Sequence, residues 1–198
     1  MKSESIAFGV AGILFGLIAG WIIGSQQAAV RQPPPVAQTA ATTGAAAKVL
    51  DQAQINAFSS VAEREPSNAA PRVQLGNLYF DAERYDEAIK WYSEALRLSP
   101  NEVEISTDLG VSYYYTNQPD RALEQFARSL KIDPRHTKTL LNVGIVKAFG
   151  KQDLEGAQQA WEQVIQIAPD SPEGQAARRA LDSLRAAHSN QGTQKPGA

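Results

Sequence analysis

Cysteine is absent from this 198-residue chain, and histidine occurs only at His136 and His188. A chain without cysteine forms no disulfide, no cysteine-ligated zinc site or iron–sulfur cluster, no thiol nucleophile and no covalent haem attachment. Two histidines are too few for a histidine-rich metal site and leave little material for a histidine-dependent catalytic triad. The composition therefore predicts a protein that is not an enzyme and that needs no metal, cofactor or small-molecule substrate.

An excess of positive charge is also lacking. The chain carries 19 Lys and Arg residues against 21 Asp and Glu residues, a formal net charge of −2. Nucleic-acid binding depends on a concentrated basic surface, so we expect no nucleic-acid partner. The hydrophobic fraction of 43% is ample for a core in a chain of this length, but it is unevenly distributed.

The longest uncharged run is IAFGVAGILFGLIAGWIIG at residues 6–24, behind a short tail at residues 1–5. Nineteen helical residues span about 28 Å, close to the hydrocarbon thickness of a bilayer. A cleaved signal peptide is the alternative, but its apolar run is shorter, and Gln27 is a poor residue three positions before a cut after Ala29. We therefore predict an uncleaved transmembrane helix. The short tail favours export of the remainder, which predicts a single-pass protein of the bacterial inner membrane with a periplasmic domain.

Glycines recur at every fourth residue of this run and so share one face of the predicted helix. Such a face lets a second helix approach closely, which makes homo-oligomerisation through the membrane possible. The residues of this predicted packing face are Gly12, Gly16, Gly20 and Gly24.

Residues 25–47 are rich in Pro, Ala and Thr and show no periodic apolar pattern. The three successive prolines at residues 33–35 favour extended polyproline II structure, and the remaining residues favour flexibility. We expect this segment to be a linker between the membrane helix and the next domain.

A repeat of 34 residues begins at residue 69. Units 69–102, 103–136 and 137–170 share an aliphatic residue followed by Gly, then an Ala four residues before an aromatic residue, and a closing Pro. The third unit has one extra residue, which we expect in the turn at residues 150–153. The shared positions are Gly76, Gly110 and Gly144; Ala88, Ala122 and Ala157; Tyr92, Phe126 and Trp161; and Pro100, Pro134 and Pro169.

This spacing resembles the tetratricopeptide repeat, which predicts an all-α fold. The resemblance implies a right-handed α-solenoid of three helix pairs, because one pair cannot bury its apolar faces without neighbours. Residues 48–68 have the pattern of an N-terminal half-repeat helix, and residues 171–188 that of a C-terminal capping helix with Ser171 as N-cap. Residues 189–198 are expected to be a disordered tail.

The resemblance also implies a concave groove, lined by the first helix of each pair, that binds a peptide or helix of a partner protein. Tyr113 takes the core position among three successive tyrosines, so Tyr114 is assigned to the groove. The residues at groove positions are Val73, Asn77, Phe80, Thr107, Val111, Tyr114, Lys138, Leu141 and Ile145.

Members of the family that bind chaperones grip a C-terminal carboxylate with Lys, Asn and Arg at set repeat positions. Asn77 and Lys138 match that pattern here, but Val73 and Asp108 stand where it has Lys and Asn. An Asp at that position repels a carboxylate, so we do not expect this chain to bind such tails.

The order of parts predicts a membrane-anchored scaffold or adaptor that binds a protein or peptide. It is also similar to the tetratricopeptide subunits of bacterial cytochrome c maturation, which bind apocytochrome. A structural protein that self-assembles through its glycine face, and an organelle import receptor facing the cytosol, are further alternatives.

Overall fold

The computed structural model describes residues 50–192, with side chains as far as residue 186, and this part of the chain is helical. The predicted all-α fold is therefore confirmed for it. Its eight α-helices are α1 (Gln52–Arg64), α2 (Ala70–Asp81), α3 (Tyr85–Leu98), α4 (Val103–Tyr115), α5 (Pro119–Ile132), α6 (Thr137–Ile145), α7 (Leu154–Ile167) and α8 (Pro172–Gly192).

Helices adjacent in the chain are adjacent in space. The pairs α2–α3, α4–α5 and α6–α7 pack together, and the second helix of each pair contacts the first helix of the next. Helix α1 packs on α2 at one end of this array, and α8 packs on α7 at the other. This nearest-neighbour stacking is that of a helical solenoid, in which each unit covers the apolar face of the one before it.

A glycine on each first helix lies directly against the ring of a buried aromatic residue on its partner helix. A methyl group added at any of the three glycines would overlap that ring, so only glycine permits the observed helix spacing. The aromatic side chains are at most 2% exposed and anchor the core. The contacts are Gly76 with Tyr92, Gly110 with Phe126, and Gly144 with Trp161.

The turn inside each pair uses one residue in the left-handed backbone region, with φ near 58° at Glu83, Asn117 and Gln152. Gln152 lies one residue later in its unit than the other two. The extra residue is accommodated in a π-helical turn, Val146–Gly150, where the Lys151 N–H donates to the Val146 carbonyl at 3.0 Å. The structure thus places the insertion at the end of the first helix, before the turn where the sequence pattern suggested it.

Both ends of the array are fastened by side chains. The guanidinium of Arg72 donates to the carbonyls of Asn68 (2.7 Å) and Ala62 (3.2 Å), which ties the end of α1 to α2. At the other end, Ser171 Oγ accepts from the Gly174 N–H at 3.0 Å, as predicted for the N-cap of α8. Helix α8 runs to Gly192, beyond the predicted end at residue 188.

The predicted localisation requires correction. No helix within residues 50–192 is both long enough and apolar enough to cross a membrane. The longest, α8, carries charged residues such as Arg178, Arg179 and Asp182 along its length. A bilayer core would not accommodate those charges, so the inner-membrane localisation finds no support and is not retained.

The other predictions for the N-terminal part lie outside the described residues. They are the tail at residues 1–5, the apolar run at residues 6–24 with Gly12, Gly16, Gly20 and Gly24, and the linker at residues 25–47.

Candidate functional site on the first helices

The predicted groove residues divide into two groups in the structure. Thr107, Leu141 and Ile145 are buried, which limits what they offer to a partner. The other six are half-buried side chains on three successive first helices, and we call these six the groove face. They are Val73, Asn77 and Phe80 on α2, Val111 and Tyr114 on α4, and Lys138 on α6.

Aromatic rings connect the first two helix pairs beside the groove face. Tyr85 and Tyr115 are stacked with ring centroids 4.4 Å apart, and Phe80 meets Tyr85 edge-on at 5.4 Å. Tyr114 lies against Tyr115 at 6.0 Å. Burial raises the pKa of Tyr115 to about 12, so the hydroxyl stays protonated at neutral pH. The cluster is thus an uncharged, largely apolar surface that spans α2, α3 and α4.

Tyr113 lies in the core, as the sequence pattern indicated. Its side chain is buried, and its hydroxyl accepts a hydrogen bond from Arg121 Nη2 at 2.8 Å. The Arg121 guanidinium also lies 4.0 Å from the centroid of the tyrosine ring, a cation–π contact. Tyr113 therefore joins α4 to α5 and is not a groove residue.

Asn77 is already engaged within its own repeat. The hydroxyl of Tyr92 donates to Asn77 Oδ1 at 2.8 Å, which orients the amide. With its oxygen held by Tyr92, we expect it to act mainly as a donor.

Four polar side chains form a charged cluster between α4 and α6. Lys138 Nζ lies 2.8 Å from Asp108 Oδ1 and 3.2 Å from Glu104 Oε2, while His136 Nε2 lies 2.8 Å from Glu104 Oε1. The side chain of His136 is largely covered by Glu104 and by Thr139, whose hydroxyl lies 2.6 Å from Nδ1. The charged cluster, Glu104, Asp108, His136 and Lys138, joins the second and third repeats.

The ionisation of the charged cluster follows from these contacts. The hydrogen bond with His136 lowers the pKa of Glu104 to about 2, with Lys138 adding to the effect, so Glu104 is ionised at neutral pH. Burial raises the pKa of Asp108, and the ammonium of Lys138 opposes that shift. Burial alone would lower the pKa of Lys138, but Asp108 and Glu104 together raise it.

Two buried polar networks escaped the sequence analysis. Ser106 Oγ accepts from Gln125 Nε2 at 2.7 Å and from Ser129 Oγ at 2.8 Å, inside the second repeat. Thr107 and Thr139 hydroxyls lie 2.6 Å apart across the boundary between repeats. The available signal was Gln125 and Ser129, which stand at helix positions where the other units carry apolar residues, since polar groups at such positions must satisfy one another.

The part of the chain that the structure describes holds no group of three or more His, Asp or Glu side chains arranged to bind a metal ion. What the groove face offers is apolar and aromatic surface, an amide donor and a charged edge. Groups of these kinds can recognise the surface of a partner protein or peptide.

Comparison with known families identifies the repeat. A profile described as "TPR repeat" matches residues 76–116, and one described as "Tetratricopeptide repeat" matches residues 103–136. Residues 76–136 of the chain are therefore similar to tetratricopeptide repeats. The second match coincides with the predicted second unit, and both agree with the helix pairs described above.

Solved structures share this fold, among them two TPR domains. The first TPR domain of Spaghetti (RPAP3), bound to the HSP90 peptide SRMEEVD, is 24% identical with a TM-score of 0.54, over 61% of this chain and 93% of that one. The Sgt2 TPR domain from Aspergillus fumigatus is 23% identical with a TM-score of 0.57, over 66% of this chain and 85% of that one. MamA from Desulfovibrio magneticus RS-1 is 18% identical with a TM-score of 0.55, over 59% and 67%.

No curated protein matches the chain. The tetratricopeptide fold is generally that of a non-catalytic scaffold for protein interactions, which agrees with the composition. Neither the profiles nor these structures support the resemblance to cytochrome c maturation subunits.

Proposed function

We propose that this chain is a protein-interaction module that binds a segment of a partner protein along its groove face. The observation that carries the proposal is the presence of half-buried apolar and aromatic side chains on two successive first helices, α2 and α4, with Lys138 beside them on the third. Each of these side chains retains surface that a partner can bury, and buried apolar area is the main source of binding free energy.

Contacts across the repeats support treating the groove face as one surface. The stack of Tyr85 on Tyr115 joins the first pair to the second, and the ion pair of Lys138 with Asp108 joins the second to the third. A segment lying across the first helices would therefore meet a surface whose parts are held in register. The neighbouring TPR domain of Spaghetti (RPAP3) was solved with a peptide bound, so a domain of this fold can bind one.

The test uses two substitutions on α4. Peptides that bind the full chain are first selected from a random heptapeptide display library. The double variant Val111→Glu and Tyr114→Ala should weaken their binding at least about a hundredfold, because it removes an apolar and an aromatic contact and introduces a charge.

The matched control is the double variant Ile132→Glu and Trp91→Ala, which makes the same kinds of change on the second helices. Ile132 is 38% exposed on α5, and Trp91 is half-buried on α3. The control should bind the peptides as the unchanged chain does, and both variants should keep their helical circular dichroism. Equal binding by the groove variant and the unchanged chain would contradict the proposed function.

A further inference from the structure

We infer that the groove face selects a partner segment with a lysine or arginine side chain, and that Glu104 and Asp108 make it reject carboxylate groups. This inference rests on the proposed binding function and names the chemistry of the partner. Its support comes from the charged cluster, which lies at the α4–α6 edge of the groove face.

The lysine of the groove face is already neutralised by its own chain. Lys138 is 16% exposed, and its ammonium is within hydrogen-bond distance of carboxylate oxygens of both Asp108 and Glu104. Two of its three protons therefore have acceptors in the second repeat. A partner carboxylate approaching Lys138 would meet two acidic side chains that share one positive charge, so the approach is unfavourable.

Glu104 is the most accessible member of the charged cluster. Its side chain is 58% exposed, and each of its oxygens has one recorded partner, Lys138 or His136. A carboxylate has about four lone-pair positions, so Glu104 can accept further hydrogen bonds from a partner cation. Its low pKa, caused by His136, keeps it charged over the whole neutral range.

The acidic pair is a special feature of the second repeat. The equivalent positions hold Ala70 and Gln74 on α2, and Lys138 and Asn142 on α6. At this edge two carboxyl groups, those of Glu104 and Asp108, face the single ammonium of Lys138.

The acids also lie beside the apolar part of the groove face. Glu104, Asp108 and Val111 follow one another at spacings of four and three residues, which places them on one side of α4. A segment that covers Val111 with an apolar side chain therefore reaches the acids about one turn away. The fitting partner is an apolar or aromatic segment with a nearby lysine or arginine.

The test compares peptides selected by the unchanged chain with peptides selected by the double variant Glu104→Gln and Asp108→Asn. The probe is the random heptapeptide display library, and the readout is the frequency of Lys and Arg among binders that Val111→Glu abolishes. The unchanged chain should enrich Lys or Arg at one position at least about fivefold, since one ion pair at an interface gives discrimination of this order. The double variant should lose that enrichment.

The matched control removes two exposed acids from second helices, Asp86→Asn with Glu124→Gln. It removes the same number of negative charges as the double variant but should keep the enrichment. A second probe of known sequence is the peptide SRMEEVD, which is bound in the solved structure of the first TPR domain of Spaghetti (RPAP3). The unchanged chain should bind it at least about tenfold more weakly than it binds the selected basic peptides, and Asp108→Asn should narrow that difference.

The outcomes separate the two proposals. Groove-dependent binders without Lys or Arg, an enrichment that survives in the double variant, or tight binding of SRMEEVD would overturn the inference and leave the binding function standing. A library that yields no binder sensitive to Val111→Glu would contradict the proposed function, and the inference with it.

Discussion

The inward faces of the repeats and their groove face follow opposite rules. Between the helices of each pair, the same contact of a glycine with an aromatic ring occurs in all three repeats. On the groove face, α2 contributes Val73 and Phe80, α4 contributes Val111 and Tyr114, and α6 contributes Lys138. The difference shows that packing constrains the repeated positions, while the unrepeated ones are available for recognition.

One position of the repeat is buried in all three units, like the glycine–aromatic contact, but its residue type differs between units, as on the groove face. Arg72, Ser106 and Leu140 occupy equivalent places, and all three are buried. Arg72 binds carbonyls at the end of α1, Ser106 binds Gln125 and Ser129, and Leu140 is apolar. The residue type differs because the surroundings differ. Only in the first repeat does the half-repeat helix α1 end beside this position.

The largest effect is expected from Gly110→Val, which breaks the repeated face. The new side chain would overlap the ring of Phe126, and both helices must move apart to relieve it. We expect a loss of about 3 kcal/mol in the free energy of unfolding, measured by urea denaturation of the full chain. The adjacent change Val111→Ala, on the groove face, should cost only about 1 kcal/mol. Similar losses for the two variants would remove the distinction between the faces.

A smaller effect is expected from Arg72→Leu, which gives the first repeat the kind of residue found at this place in the third. The carbonyls of Ala62 and Asn68 would lose their donor, at a cost of about 2 kcal/mol. Amide hydrogen exchange should accelerate in α1 by more than in α7, because this side chain bonds the end of α1 and lies far along the array from α7. Uniform acceleration along the array would show instead that Arg72 stabilises the solenoid as a whole.

The smallest effect is expected from Glu104→Gln in the charged cluster, at the edge of the groove face. The pKa of Glu104 falls from 4.5 to about 2 in the folded state, so its ionised form stabilises the fold above pH 4.5, and this contribution is lost as the pH falls towards 2. Because the side chain is well exposed, we expect less than about 1 kcal/mol at neutral pH. Melting temperatures of the two proteins should therefore converge between pH 5 and pH 2, and a gap that stays constant would assign the difference to packing.

Much of the fold could be predicted from residue spacing. The 34-residue period, the small and aromatic residues that meet inside each pair, and the prolines after each second helix together indicated three helix pairs between residues 69 and 170. Such features act locally or recur at a constant interval, so they can be recognised in the sequence without a structure. The inserted residue was detected for the same reason, but its place was not, since a π-helical turn leaves no clear local signature.

The groove face was predicted less completely. Repeat position brought nine residues forward, but Thr107, Leu141 and Ile145 are buried, because exposure depends on the neighbouring repeat and on side-chain size. Lys138 was assigned to the groove as a cation. Its two acidic partners come from the preceding helix pair, so its charge was already balanced.

The sequence by itself determined the repeat, the helix pairs and the repeated Gly and aromatic positions, because each follows from periodic spacing. Only the tertiary structure decided which groove positions remain accessible and which charges are neutralised. Glu104 and Lys138 are 34 residues apart in the chain, and their side chains meet only because the helix pairs stack. Stacking therefore brings Lys138 between two carboxyl groups, those of Glu104 and Asp108.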